Sequence, residues 1–133
     1  MKNKETKKKI TDDLWKYFRE FIINRDTDEL GNGKCISCPR VLNTERDKGE
    51  CHAGHFDHGK QNENYYNPKN VHLQCRTCNY YGGVKTVQTY TLNMIRLYGE
   101  KETEQIKESK YHYWSYKELK ELRDYYKFAL YLS

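Results

Sequence analysis

Two pairs of cysteines with the same short spacing constrain this chain more than any other feature. Cys35-Ile-Ser-Cys38 and Cys75-Arg-Thr-Cys78 are C-x2-C pairs separated by residues 39–74. Each pair can place two thiolates on one side of a tight turn, and two pairs complete the tetrahedral sulfur shell of a structural zinc ion. The alternative is two pairs of metal-free buried thiols. We expect zinc, with Cys51 left over as a small apolar residue or an exchanging ligand.

A bound metal would suit the composition, because the chain has little apolar material for a core. Hydrophobic residues make up 36% of the 133 residues and charged residues 32%, although 13 tyrosines add large side chains. Structural zinc contributes roughly 10–16 kcal/mol of apparent binding energy, which would offset a small core. No apolar run reaches the roughly 18 residues of a membrane span, and the N-terminus lacks a secretory apolar segment. We therefore expect a cytoplasmic protein with no membrane partner.

The net charge of +5 is concentrated at the N-terminus. Residues 1–9 carry five lysines and one glutamate, so the rest of the chain is nearly neutral. This pattern predicts a basic, disordered arm over residues 1–9, which suits either phosphate attraction or solubility. We expect one domain over 10–133, with a zinc and catalytic centre at about 34–83 and C-terminal helices at about 84–131.

Apolar residues recur at helical spacing in several segments. A first helix is predicted from its Thr11 cap to about residue 25, and a second over Val87–Gly99, where the glycine ends it. A short helix is predicted around Ile106. The last helix begins at Ser115–Glu118, whose sequence is that of a capping box. Residues 39–50 are predicted to form an irregular or hairpin connection.

Polar residues suited to hydrolytic chemistry lie between and just after the cysteine pairs. Three histidines fall within His52–His58, Asn70 and His72 precede the second pair, and Asn79 follows it. A neutral imidazole can accept a proton from water near pH 7, and a metal-held scaffold positions such a group rigidly. His72 alternates with apolar residues, so we interpret it as part of the scaffold.

This pattern resembles that of the HNH nucleases, whose ββα-metal site combines a histidine base with a middle asparagine and a third His or Asn. The resemblance implies that His55 takes a proton from the attacking water and that Asn70 holds the loop that bears it. It also implies that Asn79 is an oxygen ligand of a catalytic divalent cation, Mg2+ above all, with Mn2+ or another transition metal accepted. The expected fold is α+β, with a small treble-clef/ββα-metal zinc centre and flanking α-helices.

One position departs from the HNH pattern. Many HNH sites have an aspartate immediately before the histidine base, whereas this chain has Gly54. The identity of the second cation ligand is therefore open. His52 is the leading candidate, and Asp57 and His58 are weaker ones.

The chain is similar, more closely, to the phage NinG (Rap) recombination family over roughly residues 15–126. This family resemblance implies a structure-specific DNA endonuclease that acts on branched intermediates such as Holliday junctions or D-loops in the host bacterial cytoplasm. Since resolving a junction takes two cuts, a homodimer is attractive. The resemblance rests on Phe21-Ile22, Arg25-Asp26, the first cysteine pair, Ala53–Phe56, Asn70–Cys75, Cys78-Asn79, Gly83, Tyr90, Ile95, Gly99, Trp114 and Glu118.

Basic and aromatic residues flank the motif and are candidates for DNA contact. The basic candidates can equally be solvated surface charges, and the tyrosines core residues. The candidates are Lys60, Lys69, Arg76 and Lys85 for phosphates, and Tyr65, Tyr66, Tyr80 and Tyr81 for stacking on bases. Two other functions stay open: a zinc-organised DNA-binding module without cleavage, and a restriction or homing nuclease on ordinary duplex.

Overall fold

The computed structural model describes residues 4–133, which contain five α-helices and four short strands. The mixture of helices with two small antiparallel sheets confirms the α+β prediction at that level. The elements are α1 (Lys7–Arg25), β1 (Asn32–Lys34), β2 (Val41–Asn43), β3 (Cys51–His55), β4 (Val71–Cys75), α2 (Arg76–Tyr81), α3 (Val84–Tyr98), α4 (Glu100–Lys107) and α5 (Tyr116–Leu132).

The range 10–133, expected to be one domain, divides into two compact units. The first comprises the described residues up to Phe21 together with Tyr113–Ser133, and the second is Ile22–His112. In the first unit, Phe18 of α1 is fully buried and packs edge-on against Tyr126 of α5, with ring centroids 4.9 Å apart. The apolar stripes predicted for both helices are therefore core in this unit.

The start of α1 differs from the prediction. The helix begins at Lys7 rather than at Thr11, so the lysines at 7–9 belong to it and not to a disordered arm. The Thr6 hydroxyl oxygen accepts a hydrogen bond from the Lys9 amide at 3.1 Å, and Glu5 forms an ion pair with Arg123 at 2.9 Å. Residues 1–3, also part of the predicted arm, lie outside the described residues.

The second unit is built on two antiparallel strand pairs. β1 pairs with β2, and their connecting turn carries the first cysteine pair, so the hairpin expected within 39–50 starts earlier, at Asn32. β3 pairs with β4 in the register Cys51↔Cys75 to His55↔Val71. This register brings the histidine-bearing segment alongside the strand that leads into the second cysteine pair.

The helices of the second unit follow β4. Cys75 is the N-cap of α2, α3 ends at Gly99 with φ of 86°, and α4 covers the helix predicted around Ile106. A positive φ favours glycine, which explains why Gly99 ends α3. Met94 of α3 and Ile106 of α4 are buried together in one apolar cluster with Phe56 and Tyr90.

The last helix has the capping box that its sequence predicted. The Ser115 hydroxyl accepts from the Glu118 amide at 3.2 Å, and the Glu118 carboxylate accepts from the Ser115 amide at 2.8 Å. Within residues 4–133, the helices lack the combination of length and apolar character that crossing a membrane requires.

Candidate metal centre and adjoining polar cavity

The four cysteines of the two pairs converge in the second unit. The Sγ atoms of Cys35, Cys38, Cys75 and Cys78 all lie within 4.8 Å of one another, and Cys38 Sγ is 3.9 Å from Cys75 Sγ. Tetrahedral zinc with Zn–S bonds of ~2.3 Å requires sulfur atoms about 3.8 Å apart. The donor set and its spacing therefore fit a structural metal such as zinc. We call these residues the four-cysteine cluster.

Backbone amides orient the sulfurs. Cys35 Sγ accepts from the amides of Ser37 and Cys75 at 3.4 and 3.3 Å, and Cys75 Sγ accepts from the Cys78 amide at 3.5 Å. Burial raises the pKa of the Cys35 thiol to about 11 and raises the pKa of Cys78 as well. A divalent cation would hold these thiols as thiolates, because its charge favours the deprotonated ligand.

Cys51 lies outside the four-cysteine cluster. Its side chain is buried in the same apolar core, beside Leu42 and Leu73, and its Sγ is 3.9 Å from the Asn43 carbonyl oxygen. Among the described residues, the cluster that could hold a metal contains the other four cysteines and not this one. This placement corresponds to the apolar role expected for Cys51.

Asn70 is fully buried and ties together the loop that follows β3. Its Oδ1 accepts from the Asp57 amide at 2.8 Å, and its Nδ2 donates to the carbonyl oxygens of Asp57 and Asn64 at 3.0 and 2.9 Å. Asn70 thus hydrogen-bonds both ends of the segment between Asp57 and Asn64. It fixes the backbone immediately after His55.

His55 is held in one orientation at the end of β3. Its Nε2 is 3.0 Å from the Tyr65 carbonyl oxygen, and its ring stacks on the Tyr65 ring with centroids 4.2 Å apart. A carbonyl can only accept, so Nε2 carries the hydrogen and the basic lone pair lies on Nδ1. Burial lowers the pKa of His55 to about 4, so the imidazole is neutral at pH 7.

Asn79 and His52 contact each other. The Asn79 Nδ2 atom lies 3.0 Å from His52 Nδ1, and His52 Nε2 lies 3.3 Å from the Gly49 carbonyl oxygen. By the same tautomer argument, His52 Nε2 donates to Gly49 and Nδ1 accepts from Asn79. Asn79 stands in the first turns of α2, directly after Cys78 of the four-cysteine cluster.

A cavity of about 120 Å³, here called the polar cavity, lies beside the four-cysteine cluster. His55 and Asn79 both line it, and His52 contacts Asn79. Among the described residues that line it, none is a carboxylate. Its polar and sulfur-containing lining comprises His55, His58, Gln74, Cys78, Asn79, Thr86, Tyr90 and Lys107.

The two weaker candidates for the second cation ligand are placed differently. His58 lines the polar cavity. The Asp57 carboxylate instead accepts from Asn62 Nδ2 at 2.8 Å and so takes part in the loop that Asn70 holds. His58 therefore remains near the candidate site, whereas Asp57 serves the loop structure.

The predicted phosphate-binding residues do not form one patch of unpaired charge. Lys69 forms an ion pair with Glu102, and the Arg76 guanidinium lies 5.7 Å from the Tyr80 ring centroid. Lys60 and Lys85 are exposed. Lys107, which was not predicted from the sequence, lines the polar cavity with its ammonium 4.8 Å from the Phe56 ring centroid. No sequence signal marks it, because only folding brings α4 beside β3.

The tyrosine candidates divide between the core and the surface. Tyr66 is buried, whereas Tyr80 and Tyr81 are 59% and 78% exposed. The Tyr80 ring also contacts His52 edge-on, with centroids 4.9 Å apart. Tyr80 and Tyr81 therefore present aromatic surface next to the His52–Asn79 pair.

His72 is a scaffold residue. It is buried, with Nδ1 3.2 Å from the Tyr90 hydroxyl and Nε2 2.8 Å from the Tyr98 hydroxyl, and burial lowers its pKa to about 4. Tyr90 in turn donates to the Gly54 carbonyl oxygen at 2.7 Å. This chain of contacts fixes β3 and β4 against α3.

Arg25 and Asp26 have a structural role that was not predicted from the sequence. Arg25 donates to the carbonyl oxygens of Pro68 and Val71, both at 2.7 Å, and the Asp26 carboxylate accepts from the Leu73 amide at 2.8 Å. These contacts satisfy the Val71 carbonyl and the Leu73 amide of β4, together with the Pro68 carbonyl in the turn that precedes the strand. The residue pair therefore fixes the strand that carries Gln74 and Cys75.

The fold and the four-cysteine cluster together define a small α+β protein with a candidate structural metal centre and an adjoining polar cavity. The family model described as "Bacteriophage Lambda NinG protein" matches residues 1–132. The chain therefore belongs to the NinG family. No curated protein and no solved structure matches it.

Proposed function

We propose that this protein is a zinc-stabilised, metal-dependent DNA endonuclease of the HNH type that acts on branched recombination intermediates. The observation that carries the proposal is that His55 and Asn79, 24 positions apart in the printed sequence, line one polar cavity next to the four-cysteine cluster. The order β3, β4, α2 around this cavity supports a ββα-metal assignment, with zinc as the structural metal. Membership of the NinG family supports a phage recombination setting.

In this proposal His55 accepts the proton of the attacking water. The Tyr65 carbonyl fixes the tautomer, so that Nδ1 is the accepting atom, and the stacked Tyr65 ring fixes the plane. The pKa of about 4 keeps the imidazole unprotonated, and the negative charge of a scissile phosphate beside it would raise that pKa. His55 would then become a stronger proton acceptor once DNA is bound.

Asn79 and His52 are the proposed cation ligands. Their side-chain nitrogens are 3.0 Å apart, and a half-turn of the Asn79 carboxamide would exchange Nδ2 for the ligand atom Oδ1. Adjacent ligands of an octahedral cation with bonds of ~2.1 Å are about 3.0 Å apart, so the pair fits Mg2+ or Mn2+. A divalent cation held there would neutralise charge on the phosphate and the departing 3′ oxygen.

The remaining residues of the site would bind the DNA or hold the catalytic residues in place. Asn70 holds the loop after His55, and Lys107 supplies a positive charge in the polar cavity that favours an anionic phosphate. The exposed Tyr80 and Tyr81 rings suit stacking on bases that are unpaired at a branch point. Two such sites in a homodimer would make the two cuts that junction resolution requires.

A DNA-binding module without cleavage is the second candidate. The cavity lining contains no carboxylate among the described residues, and the acidic residue of many HNH sites is replaced by Gly54. Such a module would bind branched DNA through the same basic and aromatic residues and leave it intact.

Cleavage of defined DNAs separates these functions. Purified zinc-loaded protein is incubated with a four-way junction, a D-loop and linear duplex, each with Mg2+ or Mn2+. We expect cutting of the branched DNAs, loss of cutting but not of binding in His55→Ala, and no change in His112→Ala, whose side chain lies outside the polar cavity. Binding without cutting by the wild type would support the module, and preferential cutting of linear duplex would support a restriction or homing nuclease.

A further inference from the structure

The side chain of Gln74 occupies the space that a side chain at position 54 would need. Gly54 pairs with His72 and Gln74 pairs with His52, so Gly54 and Gln74 are diagonal neighbours on one face of the β3–β4 pair. A Cβ atom added at Gly54 would lie 1.9 Å from Gln74 Oε1. The glycine and the glutamine are therefore sterically coupled, and the carboxamide oxygen of Gln74 stands next to the backbone of residue 54.

A hydrogen bond to Ser37 holds the Gln74 carboxamide. Its Nε2 donates to the hydroxyl oxygen of Ser37 at 2.7 Å, and Ser37 is itself buried in the turn of the first cysteine pair. With Nε2 directed at Ser37, the opposite atom, Oε1, is the one left for other contacts. The four-cysteine cluster thus positions Gln74 through Ser37.

Gln74 Oε1 has an unused capacity to accept. Gln74 is only 5% exposed and lines the polar cavity together with His55 and Asn79. Across residues 4–133, no donor is hydrogen-bonded to Oε1. The oxygen stands open to the cavity, and amide oxygens are ligands of hard divalent cations.

We propose that Gln74 Oε1 is an oxygen ligand of the cation in the polar cavity and that it replaces the acidic ligand missing at Gly54. This inference rests on the proposed function, because it concerns the same cation. All three protein ligands, His52, Gln74 and Asn79, are then uncharged. Since the protein adds no negative charge, the scissile phosphate provides it, and the cation binds much more tightly when DNA is present.

Two substitutions at Gln74 test the ligand directly. Gln74→Met keeps the length of the side chain and removes the oxygen, whereas Gln74→Glu keeps an oxygen and adds negative charge. Mn2+ binding to zinc-loaded full-length protein is measured by electron paramagnetic resonance, without DNA and with an uncleavable four-way junction. We expect Gln74→Met to weaken Mn2+ binding at least about tenfold and Gln74→Glu to strengthen it about tenfold.

The matched control is Gln61→Met, because Gln61 lies outside the polar cavity. It should leave Mn2+ affinity unchanged, and zinc content with circular dichroism verifies the folding of each variant. If Gln74→Met does not fold, the Gln74→Glu result decides. A double variant, Gly54→Asp with Gln74→Ala, removes the two closest overlaps, with Oε1 and Cδ of Gln74, and should restore Mn2+ binding to at least the wild-type level.

The outcomes distinguish this inference from the proposed function. If the wild type binds Mn2+ and cuts DNA while neither Gln74 substitution changes Mn2+ affinity, the ligand assignment is wrong and the nuclease stands. If the substitutions shift Mn2+ affinity in the expected directions while no DNA is cut, the ligand assignment holds and the nuclease proposal fails. If wild-type protein binds no Mn2+ with or without DNA, both fail. Equal Mn2+ affinity with and without junction DNA would refute the role given to the phosphate.

Discussion

Replacing Asn70 should destabilise the second unit by a magnitude that follows from its contacts. The side chain is fully buried and makes three hydrogen bonds to backbone groups of Asp57 and Asn64. At roughly 1 kcal/mol for each, Asn70→Ala should lower the free energy of unfolding by about 3 kcal/mol. The loss also leaves one amide and two carbonyl groups of the His55 loop without these partners.

The charged analogue separates hydrogen bonding from volume. Asn70→Asp has almost the same shape and still accepts from the Asp57 amide, but its carboxylate faces the carbonyl oxygens of Asp57 and Asn64. Because a buried carboxylate beside two acceptors is unfavourable, we expect this variant to be destabilised at least as strongly as Asn70→Ala. A milder effect of the aspartate would contradict the assigned amide orientation.

Urea unfolding in zinc-saturated buffer measures both variants, and hydrogen exchange at Asp57 reports on the loop. The matched control is Asn24→Ala, on the exposed surface of α1, where we expect a change within about 0.5 kcal/mol. The reasoning is refuted if Asn70→Ala changes the free energy of unfolding by less than 1 kcal/mol, or if amide exchange at Asp57 is unaffected.

Three further predictions concern the metal, the strand edge and pH. Zinc analysis should find that Cys38→Ser loses the metal and cooperative unfolding of the second unit, whereas Cys51→Ala, outside the four-cysteine cluster, keeps both. Thermal unfolding should show that Arg25→Ala costs about 2–3 kcal/mol, because two carbonyl groups lose a charged donor, whereas Arg46→Ala, which removes an exposed guanidinium, should cost much less. Burial lowers the pKa of His55 from 6.5 to about 4, so the unfolded chain protonates first as pH falls through this window. The free energy of unfolding should therefore fall by up to about 3 kcal/mol more in the wild type than in His55→Ala between pH 6.5 and 4, and equal slopes would contradict the assigned burial.

Local features were predictable because neighbouring residues form them. The capping box at Ser115 and the end of α3 at Gly99 each depend on a few consecutive residues, and both are present in the structure. The start of α1 was wrong by four residues, because Thr11 is only one of several residues that can cap a helix. The hydroxyl that accepts near the first turn belongs to Thr6 instead.

Some residues of the candidate site can be identified from the sequence and others cannot. The residue types of His55, Asn70 and Asn79 mark them as polar groups in the segment of the candidate metal site, and the resemblance gives each a role. Nothing in the sequence marks Gln74 or Lys107, because their importance comes from which groups they face. The Gln74 side chain fits beside residue 54 because Gly54 has no Cβ atom. It is held there by a hydrogen bond to the Ser37 hydroxyl, which lies 37 positions away in the chain.

The four candidate metal ligands of the second unit follow from the sequence alone, since four thiols in two short turns can satisfy a tetrahedral ion whatever surrounds them. The capping box at Ser115 and the end of α3 at Gly99 follow from it as well, because they depend on local hydrogen bonds. Folding sets which polar groups share the cavity beside the four-cysteine cluster and which stay in the scaffold. The register of β3 against β4 pairs residues 16 to 24 positions apart, and the contacts of Arg25 and Asp26 with β4 join residues more than 40 positions apart. Together they set that arrangement.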